Sequence, residues 1–413
     1  MPPVVYDEDR EQRNKEQDGN DIPYVDVIPQ PSPTPQPQPI SPVIEHNQHE
    51  TLLRVSFYGT ELSFRYPKDG FSLPNVHADN LAKAWEQLSG AEYDNLIYDC
   101  LDTRSQLQLC DWAYLMLLKQ VSEQACGKSN AAVFLQAFVY TQSGYQMRLA
   151  ANEQGRLFML VGSRFVFYDR GYFTLDGTMF FPLENIADGS GMAICNGAFE
   201  HEQPLSLLIP QEQLLVQNPS KTITRTAQSG LSATCTVNHN LIDFYNHYPT
   251  GHYGDDFGTR WAVYANSPLD ENIKQQLYPV LRQAIRGVPE LQAVNLILNW
   301  VQTAFEYEYD DKVWGHDRAF FPAESLYYPY CDCEDRSILF SRIVRDLLGL
   351  DVVLLYYPGH LATAVCFNQP VRGDYLTINN KRYVVCDPTY IGAPVGATMP
   401  GMDNKTAKVI MLN

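Results

Sequence analysis

Apolar positions after residue 333 recur at helical spacing. Ile338, Leu339, Ile343, Val344, Leu347 and Leu348, with Ser337, fall on one face, which predicts an amphipathic helix over about 333–348. Asp332 suits the N-cap, Glu334 and Asp335 the first turn, and Gly349 the stop. Asp351 to Tyr357 is a short Val- and Leu-rich run of the kind that makes a buried strand. Pro358-Gly359 reads as a turn, and Leu361 to Phe367 as a second strand with His360 at its mouth. Tyr383 to Cys386 predicts another strand, ended by Asp387-Pro388.

The same reading covers the rest of the chain. Glu50 to Tyr66 alternates apolar and polar positions around Tyr58-Gly59-Thr60, so a hairpin is expected. Helices are expected over Ala78–Leu88, Leu109–Cys126 and Asn130–Tyr140. Short strands over 145–152, 156–162, 164–169 and 172–175 suggest an antiparallel meander. Strands are also expected over 204–209, 222–227, 231–237 and 260–265, with a helical turn over Asn240–Asn246. Asn272–Ile285 and Leu291–Phe305 are amphipathic helices, separated by Gly287-Val288-Pro289. The aromatic and acidic stretch from Glu306 to Tyr328 leads directly into Cys333 and is placed as one wall of a cleft.

Composition narrows the class. The chain has 413 residues, 45% hydrophobic and 12% aromatic, which is globular composition with room for two or three domains. A net charge of −18 repels phosphate backbones and anionic lipid, so nucleic-acid binding is disfavoured. No apolar run is long enough to span a bilayer, so no integral membrane segment is expected. Residues 1–48 are polar, then proline-rich from Pro29 to Pro42, and are expected to form a disordered tail or extended linker. No basic stretch followed by an apolar core opens the chain, so it is placed in the cytoplasm by default, or exported or anchored if the natural start lies upstream. Residues 49–265 are read as a mixed α/antiparallel-β region of one or two domains without a chemical motif, and 266–413 as the catalytic domain. A peptide- or glycan-binding groove in the first region is the sharper alternative to plain core.

Nine scattered cysteines do not form a disulfide framework. Cys333, His360 and Asp387 have the types that nucleophilic acyl chemistry uses, and each lies at an element end. A helix N-terminus favours a thiolate, a neighbouring imidazolium favours it more, and a carboxylate fixes the imidazole's tautomer. The Cys333 backbone N–H could serve as one oxyanion donor. Each residue also has a plain reading: a buried cysteine, a turn histidine and an Asx-turn aspartate. A zinc site from Cys331, Cys333, His360 and Cys386 lacks C-x2-C spacing and a second pair. His316 is a rival partner for Cys333, without the strand-mouth position.

The segments C-E-D-R-S, G-H-L-A-T-A-V and C-D-P-T, with the upstream N-L-I-L-N-W-V-Q-T-A-F-E-Y, resemble the bacterial transglutaminase-like superfamily over about a third of the chain. The resemblance implies a papain-like α+β domain. Cys333 would be the nucleophile, His360 the base and acid, and Asp387 the orienting group. Cys331 stands where many members have a small residue, which raises a redox event or a metal at that position. The expected activity is hydrolysis of an amide in a peptide or protein substrate through an acyl-enzyme, without cofactor or metal. The alternatives are transfer to an amine, as in a transglutaminase, and a non-enzymatic scaffold.

Overall fold

The computed structural model describes residues 4–6, 24–25, 49–184, 186, 191–195, 197 and 201–413. Most of the expected proline-rich tail lies outside them. Of the described pieces, Tyr24–Val25 pairs with the strand Lys408–Met411, and Val5 makes an isolated bridge to Ile391.

The described chain forms two compact units, and both mix helices with antiparallel sheet. One holds 217–246 and 256–413 together with 4–6 and 24–25. The other holds 49–216 and 247–255. No helix among the described residues is long and apolar enough to cross a membrane.

The first unit is built around a six-stranded sheet. Its order is Tyr24–Val25, Lys408–Met411, Asp351–Tyr357, His360–Cys366, Lys381–Cys386, Tyr375–Ile378. Every pairing is antiparallel except the first. The helix Cys333–Leu348 packs on this sheet. Its boundaries follow from local chemistry. The Asp332 carboxylate accepts from the N–H groups of Glu334 and Asp335, and Asp335 returns a bond to the Asp332 N–H. Gly349 ends the helix in the left-handed region at φ 65°, where a side chain would be strained. The helix is tied to the strand beside it by the Ser337 hydroxyl, which donates to the Leu361 carbonyl at 2.9 Å.

The helices Glu271–Ala284 and Glu290–Thr303 belong to the same unit. So does a hairpin of Ile223–Thr226 with Ser232–Cys235. Arg260–Asn266, expected as a strand, is a helix packed on Cys333–Leu348. The reason is its entry: Asp256 caps a 3-10 turn at Phe257–Thr259 that feeds straight into the helix, and six of its seven residues are then buried. Continuous burial removes the periodicity that distinguishes a short helix from a strand.

The second unit carries the hairpin Glu50–Phe57 with Thr60–Pro67 and the helices Ala78–Leu88, Asp94–Gln106, Asp111–Cys126 and Asn130–Gln142. Its five-stranded sheet is antiparallel throughout. Buried Arg104 and Asp111 pair at 2.8 Å, and the Tyr145 hydroxyl donates to the same carboxylate. The expected strand over 204–209 forms no ladder. Leu205 makes a single bridge to Ser163, and the run is otherwise buried extended chain.

Candidate active site

Register brings His360 and Asp387 together. Thr363 lies opposite Cys386, so the next pair outward is Ala362 with Asp387, and Ala362 shares a face with His360. His360 Nε2 lies 2.8 Å from Asp387 Oδ2. Both residues are 2% exposed. The other Asp387 oxygen accepts from the backbone N–H groups of Thr389 and Tyr390, which hold the carboxylate in one orientation. The remaining ring nitrogen, His360 Nδ1, is buried without a hydrogen-bond partner.

Cys333 is the first residue of its helix and is 7% exposed. The backbone N–H of Leu361, next to His360, lies near enough to favour its thiolate. The contact from Ser337 to Leu361 one turn later fixes the same helix against the same strand. Burial pushes the Cys333 thiol well above its ordinary range, and the charges of Asp332 and Glu334 add to that push. The Leu361 N–H acts the other way. A thiolate here therefore needs a positive charge close by.

The loop from Asp387 is held by a residue the sequence reading passed over. Gln302, on the Glu290–Thr303 helix, is 1% exposed. Its Nε2 faces the carbonyls of Asp387, Tyr390 and Ala393 at 3.0, 2.8 and 3.1 Å. Its Oε1 accepts from the Gly392 N–H. Arg336, one turn into the Cys333–Leu348 helix, donates to the Gln302 and Phe305 carbonyls. The only sequence signal for Gln302 is a polar residue amid the apolar face of its helix.

The stretch 306–328 is not a plain loop. Glu306–Tyr307 pairs in parallel with Tyr330–Cys331, which sets Tyr307 across from Cys331. Asp310–Val313 and Pro322–Tyr327 are short helices. Burial pushes the Tyr307 hydroxyl up, and the neighbouring Cys333 and Asp332 charges add to it. Arg336 lies over its ring at 5.3 Å. The Phe320 N–H donates to Asp335 at 2.8 Å, tying the stretch to the Cys333–Leu348 helix.

His316 is exposed and its Nδ1 meets the Trp314 carbonyl at 3.0 Å. The nine cysteines are free thiols, so Cys331 and Cys333 are not bonded to each other. Among the described residues, Cys331, Cys333, His360 and Cys386 do not converge as metal ligands. Asp310, Asp317 and Glu334 do bring one carboxylate oxygen each within 4.8 Å of the others. Burial raises Asp310 to about 7 and Asp332 to about 6, and pushes Glu334 and Asp335 well up. No family model, no curated protein and no solved structure matches the chain.

Proposed function

We propose that the chain is a cysteine-dependent amide hydrolase that works through an acyl-enzyme, with a papain-like placement of Cys333, His360 and Asp387. The observation that carries this reading is the state of His360. One ring nitrogen is bound to a buried carboxylate, and the other is buried with no hydrogen-bond partner. A buried polar atom left unpaired costs roughly 1–3 kcal/mol, and a proton exchanged with Cys333 gives it a use.

In the first step His360 Nδ1 takes the Cys333 proton, and the sulfur forms a bond to the amide carbonyl carbon. The developing oxyanion is met by backbone N–H donors, the Cys333 N–H at the helix N-terminus being one. The tetrahedral adduct collapses, the C–N bond breaks, and Nδ1–H protonates the leaving amine. Asp387 holds Nε2–H throughout, so Nδ1 is the nitrogen free to exchange protons. Water then attacks the thioester as Nδ1 removes its proton, and the carboxylic acid leaves with Cys333 restored.

The test uses 4-nitrophenyl acetate. The expected result is a burst of nitrophenol, an acetyl group on the Cys333 peptide by mass spectrometry, and slow release that requires His360. Acetyl groups spread over several cysteines, with no dependence on His360, would remove the reading.

A further inference from the structure

Beside the nucleophile lies a carboxylate with nothing to hold. Glu334 follows Cys333 in sequence and is 5% exposed, and its Oε1 is buried without a hydrogen-bond partner. Its carboxylate lies within 4.8 Å of oxygens from Asp310 and Asp317. One oxygen each of Asp310 and Asp317 has a partner. Asp310 Oδ2 accepts the Arg318 N–H at 2.7 Å, and Asp317 Oδ2 accepts from the Arg260 guanidinium at 2.6 Å.

The cations close to this cluster do not balance it. Arg260 is held between the rings of Phe257 and Trp261. The Arg318 guanidinium is turned to Glu324 and Asn246. The Asp332 carboxylate caps its own helix and adds negative charge. The Asp317 side chain is 60% exposed, so the pocket opens to solvent on that side.

We propose that Asp310, Asp317 and Glu334 form a subsite for a cationic group of the substrate, the ammonium of a lysine-like residue or the guanidinium of an arginine-like one. The placement sets where that group lies. Glu334 follows Cys333 in the first turn of the same helix, so the cation belongs to a part of the substrate near the bond that is cut. A bound ammonium gives Glu334 Oε1 the donor it lacks and offsets part of the negative charge that opposes the Cys333 thiolate. Basic substrates are then both held and used to ready the nucleophile. The substrate role rests on the proposed amidase activity; the charge preference of the pocket does not.

The experiment compares two thiol reagents at Cys333: cationic 2-aminoethyl methanethiosulfonate and neutral methyl methanethiosulfonate. In each, the thiolate forms a disulfide with the sulfenyl sulfur and methanesulfinate leaves. The reading is the ratio of cationic to neutral rates. Exposed Cys195 in the same chain is the reference for the general pull of a net −18 surface. The ratio at Cys333 is expected to exceed that at Cys195 at least tenfold and to grow as pH rises through about 7, where Asp310 ionises. It should fall to the Cys195 value in Glu334→Gln and in the more exposed Asp317→Asn, and stay high in Asp311→Asn, with folding checked by circular dichroism. Equal ratios at the two cysteines, or a ratio untouched by both cluster variants, would overturn the subsite. So would a tight calcium or magnesium site by calorimetry, lost in Glu334→Gln and erasing the preference when filled. If the triad itself is inert, the neutral reagent shows an ordinary thiol profile unchanged by His360→Ala, while the charge ratio still reads the pocket.

Discussion

Gln302 gives the most quantitative prediction. Two hydrogens on its Nε2 serve three carbonyls of the 387–393 loop, and its Oε1 takes the Gly392 N–H. The Asp387 and Tyr390 carbonyls also accept from Tyr390 and Ala393 N–H groups, at 3.3 and 3.0 Å. The exposed Gly392 N–H can turn to water. The buried Ala393 carbonyl is the group that loses most when Gln302 becomes Met, a change that keeps the volume and removes the polarity. One orphaned carbonyl costs roughly 1–3 kcal/mol, and two weakened bonds add about 1, for roughly 2–4 kcal/mol. At 1.4 kcal/mol per factor of ten, the loop then opens roughly thirty- to several-hundred-fold more often. Amide hydrogen exchange on a peptide spanning 387–396 reads this directly, away from the rest of the chain. Gln302→Glu should open the loop at least as far, because its oxygens would face three carbonyls. Exchange within about threefold of the parent in both variants would refute the reasoning.

Replacing Asp387 by Asn keeps the shape but lets an amide N–H meet Nε2 and select the wrong tautomer. Acetylation of Cys333 by 4-nitrophenyl acetate should drop about 10³-fold or more, and a drop under tenfold would show that Asp387 does not orient the ring. Stability should depend on pH through the acidic cluster. Burial raises Asp310 to about 7 and Asp332 to about 6, so the folded chain keeps protons that an unfolded aspartate loses near 4. The contribution is therefore present below about pH 4 and is lost as pH rises to about 7. Urea midpoints should fall from pH 5 to pH 8, and the fall should shrink in Asp310→Asn; an unchanged fall would place the titration elsewhere. Ser337→Ala removes the link from helix to strand at Leu361 and should cost about 1 kcal/mol by urea denaturation, with no change in the pH dependence.

The Cys333–Leu348 helix was legible because its ends are chemical. Asp332 and Gly349 are a cap and a stop that act within a few residues, so the predicted 333–348 span matches the observed one. The strand Asp351–Tyr357 was legible for a similar reason, lying between that stop and Pro358-Gly359. The helix Asp94–Gln106 was not, because Asp and Asn interrupt its apolar face and its first residues follow a 3-10 turn. Arg260–Asn266 was misread because a helix buried on all sides shows no polar stripe. In the site, the meeting of His360 and Asp387 follows from strand order and register, which the spacing of residues hints at but does not encode. The convergence of Asp310, Asp317 and Glu334 joins the 306–328 stretch to the start of the Cys333–Leu348 helix, and no local pattern marks it. Gln302 is the same case, since its partners lie about ninety residues away.

The measurement that reaches the central claim most directly is the alkylation rate of Cys333 by iodoacetamide against pH, in the parent and in His360→Ala, under reducing conditions with a chelator present. Burial and the acids beside it push the isolated thiol up, so without an imidazolium its rate should fall about tenfold per pH unit below neutrality. The account predicts a parent rate that stays high down to about pH 5–6 and collapses in His360→Ala. Two profiles that run together, both following an ordinary or raised thiol, would contradict it and leave the buried histidine and aspartate a structural pair.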